Sequence, residues 1–307
     1  MWDGHSQKRG YRLFQCRNCG HIQVWPLPSQ QVLSRLYSPK QEYFTAKDIN
    51  LATTSNAEAK RMLTQCSKML KKPGRALEIG SNNGELLYHL CGLGWKVFGI
   101  EVNRFGVEIA MRHGIQTFHG VLEDARLDEE CFDLVIVNDV IEHLTMPNRT
   151  INIISKLLRP GGIVIVSTPN ANCGFSQASQ WLARFTIGLI PWSQSEPPYH
   201  LHYFSSRTIA ILLKRFGLKP FSFEYRSIRL LRQLGNVGYF DGLKSAYLRM
   251  RNLGERRAFW SRLPVAIPGL AGIGMALGAC MAVGRVYDAI YGGGEHVTVF
   301  AQKLANR

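Results

Sequence analysis

The sequence predicts an α/β fold with a doubly wound, mostly parallel sheet. Three observations predict it. Apolar runs of strand length alternate with helical periodicities from residue 75 onward. The first of these runs, Arg75 to Ile79, stops at Gly80, and Gly84 follows just before a helical pattern (Glu85, Leu86, Leu87, Leu90). The run Phe132 to Asn138 is almost wholly apolar, as a strand covered on both faces should be.

Taken in order, residues 41–72 read as helical. Ala59, Met62, Leu63, Cys66, Met69 and Leu70 fall near one face, and Lys71-Lys72-Pro73-Gly74 ends the helix. The strand at 75–80 then enters a glycine turn. Glycine lacks Cβ and tolerates positive φ, so a ligand can approach the backbone there, and the helix N-terminus adds free N–H groups. A second strand, Lys96 to Val102, ends at Glu101, whose carboxylate can accept two hydrogen bonds from ribose hydroxyls at the tip of the neighbouring strand. A weak third strand, Gln116 to His119, leads into Gly120-Val121-Leu122-Glu123-Asp124. After Phe132 to Asn138 come Asp139-Val140-Ile141-Glu142-His143-Leu144 and a helix begun by Pro147. Arg159-Pro160-Gly161-Gly162 breaks that helix before a strand from Ile163 to Ser167. An apolar, lid-like stretch occupies 171–198. Next come His200-Leu201-His202, a helix capped in the Ser205-Ser206-Arg207-Thr208 segment, and a strand from Lys219 to Tyr225. The last strand is His296 to Lys303, about 70 residues later, which is far beyond an ordinary connection.

A dinucleotide fingerprint would need glycines where Asn82 and Glu85 stand, which disfavours a nicotinamide cofactor. The spacing Glu78, Gly80, Gly84 instead resembles motif I of the class I S-adenosylmethionine (SAM) methyltransferases. F-D-x-V-x-x-x-D-x-x-E-H-L from Phe132 and L-L-R-P-G-G-I-V-I-V-S-T-P-N from Leu157 extend the resemblance over residues 75–170. The nearest pattern is that of the ubiquinone-biosynthesis O-methyltransferases and their bacterial relatives. The resemblance implies a Rossmann-like seven-stranded sheet with a final antiparallel strand and SAM as cofactor. It implies cofactor contacts at Glu78, Gly80, Ser81, Asn82, Gly84, Glu101, Val102, Leu122, Glu123 and Asn138, with Glu123 or Asp124 beside the adenine.

Methyl transfer needs the acceptor aligned and often deprotonated. Glu142, His143, His200 and His202 are the candidate catalytic residues, since histidine titrates near neutrality. Asp139, Glu142 and His143, at i, i+3 and i+4, are expected to share a helical face. With a later histidine they resemble a divalent-metal set of some ubiquinone-pathway and small-RNA methyltransferases. The competing reading, in which Glu142 and His143 order the helix start and the acceptor pocket without metal, is the one adopted.

The chain divides into a head (1–40), a SAM-binding domain (41–226), an insertion (227–293) and the last strand (294–307). In the head, Cys16-x-x-Cys19-Gly20 resembles half of a zinc ribbon, but two thiolates are half of a structural zinc's ligands, so a metal-free remnant is expected. The odd count of 7 scattered cysteines suits a reducing compartment, and the first ten residues hold no apolar core of signal-peptide length, so a cytoplasmic location is expected. The net charge of +15 points to an anionic partner. Residues 207–262 carry 13 Lys and Arg against 3 Asp and Glu, and the 22 residues 263–284 carry no charge. Because the last strand must return to the same sheet, a peripheral contact with an anionic membrane face fits better than a span. The expected activity is O-methylation of a small-molecule, lipid or lipid-linked saccharide acceptor. Methylation of RNA and a catalytically silent SAM-fold binding module are the rival readings.

Overall fold

The computed structural model describes residues 4–8, 11–36, 50–67, 69–174, 176–178, 197–226, 279, 282–288 and 293–304. Its centre is a seven-stranded sheet. In chain order the strands are β4 (Arg75–Ile79), β5 (Lys96–Glu101), β6 (Thr117–His119), β7 (Phe132–Asn138), β8 (Leu158–Pro169), β10 (Leu218–Arg226) and β11 (His296–Lys303). Their spatial order is β10-β11-β8-β7-β4-β5-β6. The five strands from β8 to β6 run parallel, and β11 lies antiparallel to both β8 and β10. The expected Rossmann-like sheet with its reversed strand is therefore present. The strand order reverses between β4 and β7, where open α/β sheets place their ligands.

Alternation along each strand divides the core between two faces. Leu77, Ile79, Val135, Val137, Val164 and Val166 pack on one side with α5 (Pro147–Leu157) and α6 (Ser206–Arg215). Ala76, Leu134, Ile136, Ile163, Ile165 and Phe300 pack on the other with α2 (Ala57–Cys66) and α3 (Glu85–Gly92). Helix α4 (Arg104–Arg112) is capped by Asn103, whose side chain accepts the N–H of Phe105 and Gly106. Helix α6 starts at a capping box formed by Ser205 and Thr208.

Three details depart from the sequence reading. The helix expected over 41–72 is confined to Ala57–Cys66, with a short 3₁₀ turn at Leu51–Thr53; residues 37–49 lie outside the described residues. Strand β8 begins at Leu158 rather than Ile163. Phe132 pairs with Leu158 and Leu134 with Ile163, so Arg159 to Gly162 bulge out of the ladder, with Gly161 at φ +81. The head is not a separate appendage. Strands β1 (Gly4–Lys8), β2 (Tyr11–Gln15) and β3 (Ile22–Trp25) form a sheet completed by β9 (His202–Tyr203). Its small core joins Leu13, Ile22 and Val24 to Ala171 and Tyr203. A helix, α1 (Gln30–Leu36), follows β3. The basic and uncharged stretches singled out between 227 and 278 lie outside the described residues.

Candidate active site

The site is built on the carboxyl ends of β4, β5 and β7. The turn after β4 holds Gly80 at φ +73, Asn82 at +48 and Gly84 at +78, a left-handed path that explains both glycines. Space is equally demanding at Gly80, where an added Cβ would lie 2.3 Å from Val140 Cγ2. The turn is stitched to β5: Gly80 N and Ser81 N donate to Ile100 O at 2.8 and 3.1 Å. Glu101 accepts Asn82 N at 2.8 Å on one carboxylate oxygen and Asn103 N at 2.7 Å on the other. The carboxylate is thereby fixed at the strand tip with lone pairs to spare for a ligand's hydroxyls.

Around this turn three buried polar atoms have no protein partner: Glu78 Oε2, Ser81 Oγ and Asn138 Oδ1. Unsatisfied buried groups are costly in a folded protein and call for a ligand. Burial, with like charge from Glu101 and Glu85, pushes the Glu78 carboxyl up to about 8. Acceptor oxygens at Glu78, Asn138 and Glu101 are thus gathered around the turn. Val102 (39% exposed) and Val121 (43%), just past the ends of neighbouring strands β5 and β6, leave apolar surface for a flat ring. Leu122 is a core side chain, and Glu123 accepts the Thr150 hydroxyl at 3.1 Å.

The second half of the site follows β7. Glu142, His143 and His200 offer ligand atoms that all lie within 4.8 Å of one another. Leu201 N donates to Glu142 O at 2.8 Å, and Val24 N donates to Leu201 O at 2.8 Å, so strand β3 of the head braces the segment carrying His200. His143 Nδ1 meets Tyr199 O at 2.7 Å, which leaves its Nε2 turned to Glu142 at 4.0 Å. Thr168 donates its hydroxyl to Glu142 at 2.9 Å. Burial, reinforced by the charge of Asp139, holds the Glu142 carboxyl well above the carboxylate range, and burial lowers the His143 imidazole. Both shifts disfavour charge on Glu142 and His143, which leaves the cluster suited to hydrogen bonding.

Two expected members are elsewhere. His202 Nδ1 lies 3.0 Å from His21 Nε2, at the junction with the head. Asp139 is not one of the clustered three, although its charge acts on both Glu142 and His143. It takes φ +53, and only a 3₁₀ turn at Ile141–His143 follows, so helical i, i+3, i+4 spacing does not apply. Its carboxylate instead bonds His296, a residue the sequence reading missed. In the head, N–H groups of Cys19 and Asn18 hold the Cys16 thiol below its ordinary value. Among the described residues the group of ligand atoms close enough for a metal is Glu142, His143 and His200.

Residues 52–222 match the family described as "Methyltransferase domain", which is more than half of the chain. The chain belongs to that methyltransferase family. Its methyl donor is S-adenosyl-L-methionine. This methyltransferase is similar to the ubiquinone biosynthesis O-methyltransferase of Alkalilimnicola ehrlichii, at 26% identity over 207 residues, covering 63% of this chain and 81% of that protein. The protein of the same name from Burkholderia vietnamiensis is 30% identical over 105 residues, covering 32% of this chain and less than half (45%) of the relative. Among solved structures, the [4+2]-cyclase SpnF superposes with a TM-score of 0.52 at 16% identity, covering 92% of this chain and 99% of that one. The 1,6-didemethyltoxoflavin-N1-methyltransferase of Burkholderia thailandensis superposes with a TM-score of 0.50 at 13% identity, covering 99% and 100%. At such identities these structures speak for the fold alone.

Proposed function

We propose that this methyltransferase acts on a hydroxyl oxygen of a small or lipid-borne molecule, with the acceptor held at Glu142, His143 and His200. The observation that carries the reading is the meeting of Glu142 and His143, two and three residues beyond Val140 on the cofactor turn, with His200. The relatives named as O-methyltransferases support the choice of oxygen. Bound at the turn, SAM supplies an electrophilic methyl group. Glu78 and Asn138 would take its ammonium and Glu101 its ribose. The cage formed by Glu142, His143 and His200 orients the acceptor hydroxyl for in-line attack. The strongly basic stretch and the neighbouring uncharged run support delivery of the acceptor from an anionic lipid face. No helix among the described residues is long and apolar enough to cross a membrane.

A second reading adds a divalent cation. One carboxylate and two imidazoles within 4.8 Å form an oxygen and nitrogen donor set suited to Mn²⁺, Mg²⁺ or Zn²⁺. Such an ion would polarise the acceptor oxygen.

Calorimetry with S-adenosylhomocysteine tests the cofactor half. Micromolar binding is expected, with at least about a tenfold loss in Glu101→Ala. Turnover on hydroxyl acceptors, followed by release of S-adenosylhomocysteine, tests the acceptor half, and methylation of amines alone would refute it. Activity abolished by EDTA and restored by Mn²⁺ would establish the second reading.

A further inference from the structure

We propose that Asp139 is the residue that takes the proton from the acceptor hydroxyl, and that His296, at the head of the last strand, is the positioning residue that aims it. The proposal rests on the O-methylation reading. Asp139 directly follows Asn138 at the end of β7, beside the cofactor turn. Its backbone sits at φ +53, a conformation rarely taken by residues other than glycine and concentrated at functional sites. Its amide N–H is held by Ser167 O at 2.9 Å, so the strain is fixed by the neighbouring strand. Its side chain stays 52% exposed, while His296 is only 12% exposed and lies with Nε2 at 2.5 Å from Asp139 Oδ1.

The topology explains how a residue 157 positions away arrives there. Strand β11 runs antiparallel to β8, with His296 opposite Pro169, so its first residue lies on the edge where the parallel strands end. On its other side His296 faces Arg226, whose guanidinium pairs with Glu58. One carboxylate oxygen is thus tied to a buried imidazole, and the other is left for substrate.

The neighbouring groups are poorer proton acceptors. Glu142 is only 2% exposed and already accepts the Thr168 hydroxyl, and His143 spends Nδ1 on Tyr199 O while its Nε2 faces Glu142. The carboxylate within reach is that of Asp139, half exposed and held on one oxygen by His296. In the step itself the acceptor oxygen forms the new O–CH₃ bond as the sulfonium–methyl bond breaks. The electron pair of the broken bond stays on sulfur, giving S-adenosylhomocysteine. The hydroxyl proton passes to the open carboxylate oxygen of Asp139, so charge and atoms balance.

The test uses phenols graded in acidity, from phenol to 4-nitrophenol, as acceptor probes with the full chain and SAM. With phenol, Asp139→Asn should lower kcat by about a hundredfold or more, the usual contribution of a general base. His296→Gln should lower it by about tenfold, as loss of an orienting partner does. Both variants should keep the wild-type affinity for S-adenosylhomocysteine and an unchanged KM. The loss should shrink towards 4-nitrophenol, which is already ionised in part at neutral pH. An equal loss across the series, no loss in either variant, or a matching loss of S-adenosylhomocysteine binding would each overturn the proposal while the O-methylation reading stands. A wild-type protein that binds S-adenosylhomocysteine and methylates amines but no hydroxyl would remove that reading and this proposal together.

Discussion

Replacing Glu78 by Gln should make the cofactor-free protein more stable and the enzyme worse. The side chain is 5% exposed and one of its oxygens has no partner. Its carboxyl, ordinarily at 4.5, is raised to about 8 by burial and then by the charges of Glu101 and Glu85. Between those values the folded form keeps a proton that the unfolded chain has released. Stability therefore falls as pH rises through this window and is highest below it. Each pH unit is worth about 1.4 kcal/mol, so at pH 7 the penalty is ~3 kcal/mol. That is a large share of the 5–15 kcal/mol that typically holds a domain together. Urea unfolding at pH 5, 6, 7 and 8 without cofactor measures it. Glu78 should take stability from wild type steadily across the series, while His21 and His202 act the other way at its acid end. Glu78→Gln should exceed it by a margin that grows with pH and reaches ~3 kcal/mol at pH 7. Because Glu142 shifts in the same direction in both proteins, the difference between them isolates Glu78. The same variant should bind S-adenosylhomocysteine more weakly, since an amide cannot lose a proton to become the anion that an ammonium favours. A margin that stays flat with pH, or a variant no more stable than wild type, would refute the reasoning.

Two further predictions follow from the same geometry. Gly80→Ala must relieve a Cβ at 2.3 Å from Val140 Cγ2 in a left-handed backbone at φ +73, so at least ~2 kcal/mol of stability and most cofactor affinity should be lost; a melting curve and calorimetry measure both. His21 and His202 are each lowered to about 4, His21 by burial and His202 by burial and then by the His21 charge, so the unfolded head protonates first and its stability drops as pH falls from 6.5 towards 4. Amide exchange in β3 should accelerate across that window before exchange in β4 does.

The strands were legible because they are fully covered. Arg75–Ile79, Lys96–Glu101, Phe132–Asn138 and His296–Lys303 stand out as apolar blocks between turn residues, and the glycine turn declares itself by spacing. The candidate cofactor residues were legible for the same reason, being local to strand ends. What stayed hidden depends on partners far along the chain. Strand β9 is two residues long and exists because Ile22 and Gln23 lie opposite it. The expected face of Asp139, Glu142 and His143 assumed a helix where the backbone turns at φ +53 instead. The link between His296 and Asp139 leaves no local trace, since nothing near His296 marks it beyond the strand it begins.

The position of β11 has a consequence for how the protein is made. It is the last described strand to leave the ribosome, yet it lies inside the sheet, between β8 and β10, and not at its edge. Until it arrives, the whole length of β8 and the facing edge of β10 present unpaired backbone, an open template for pairing with other chains. A chain cut short before His296 would keep the cofactor turn intact while lacking both the strand that seals the sheet and the imidazole beside Asp139. The strand that closes the sheet is thus also the one that brings the imidazole to Asp139.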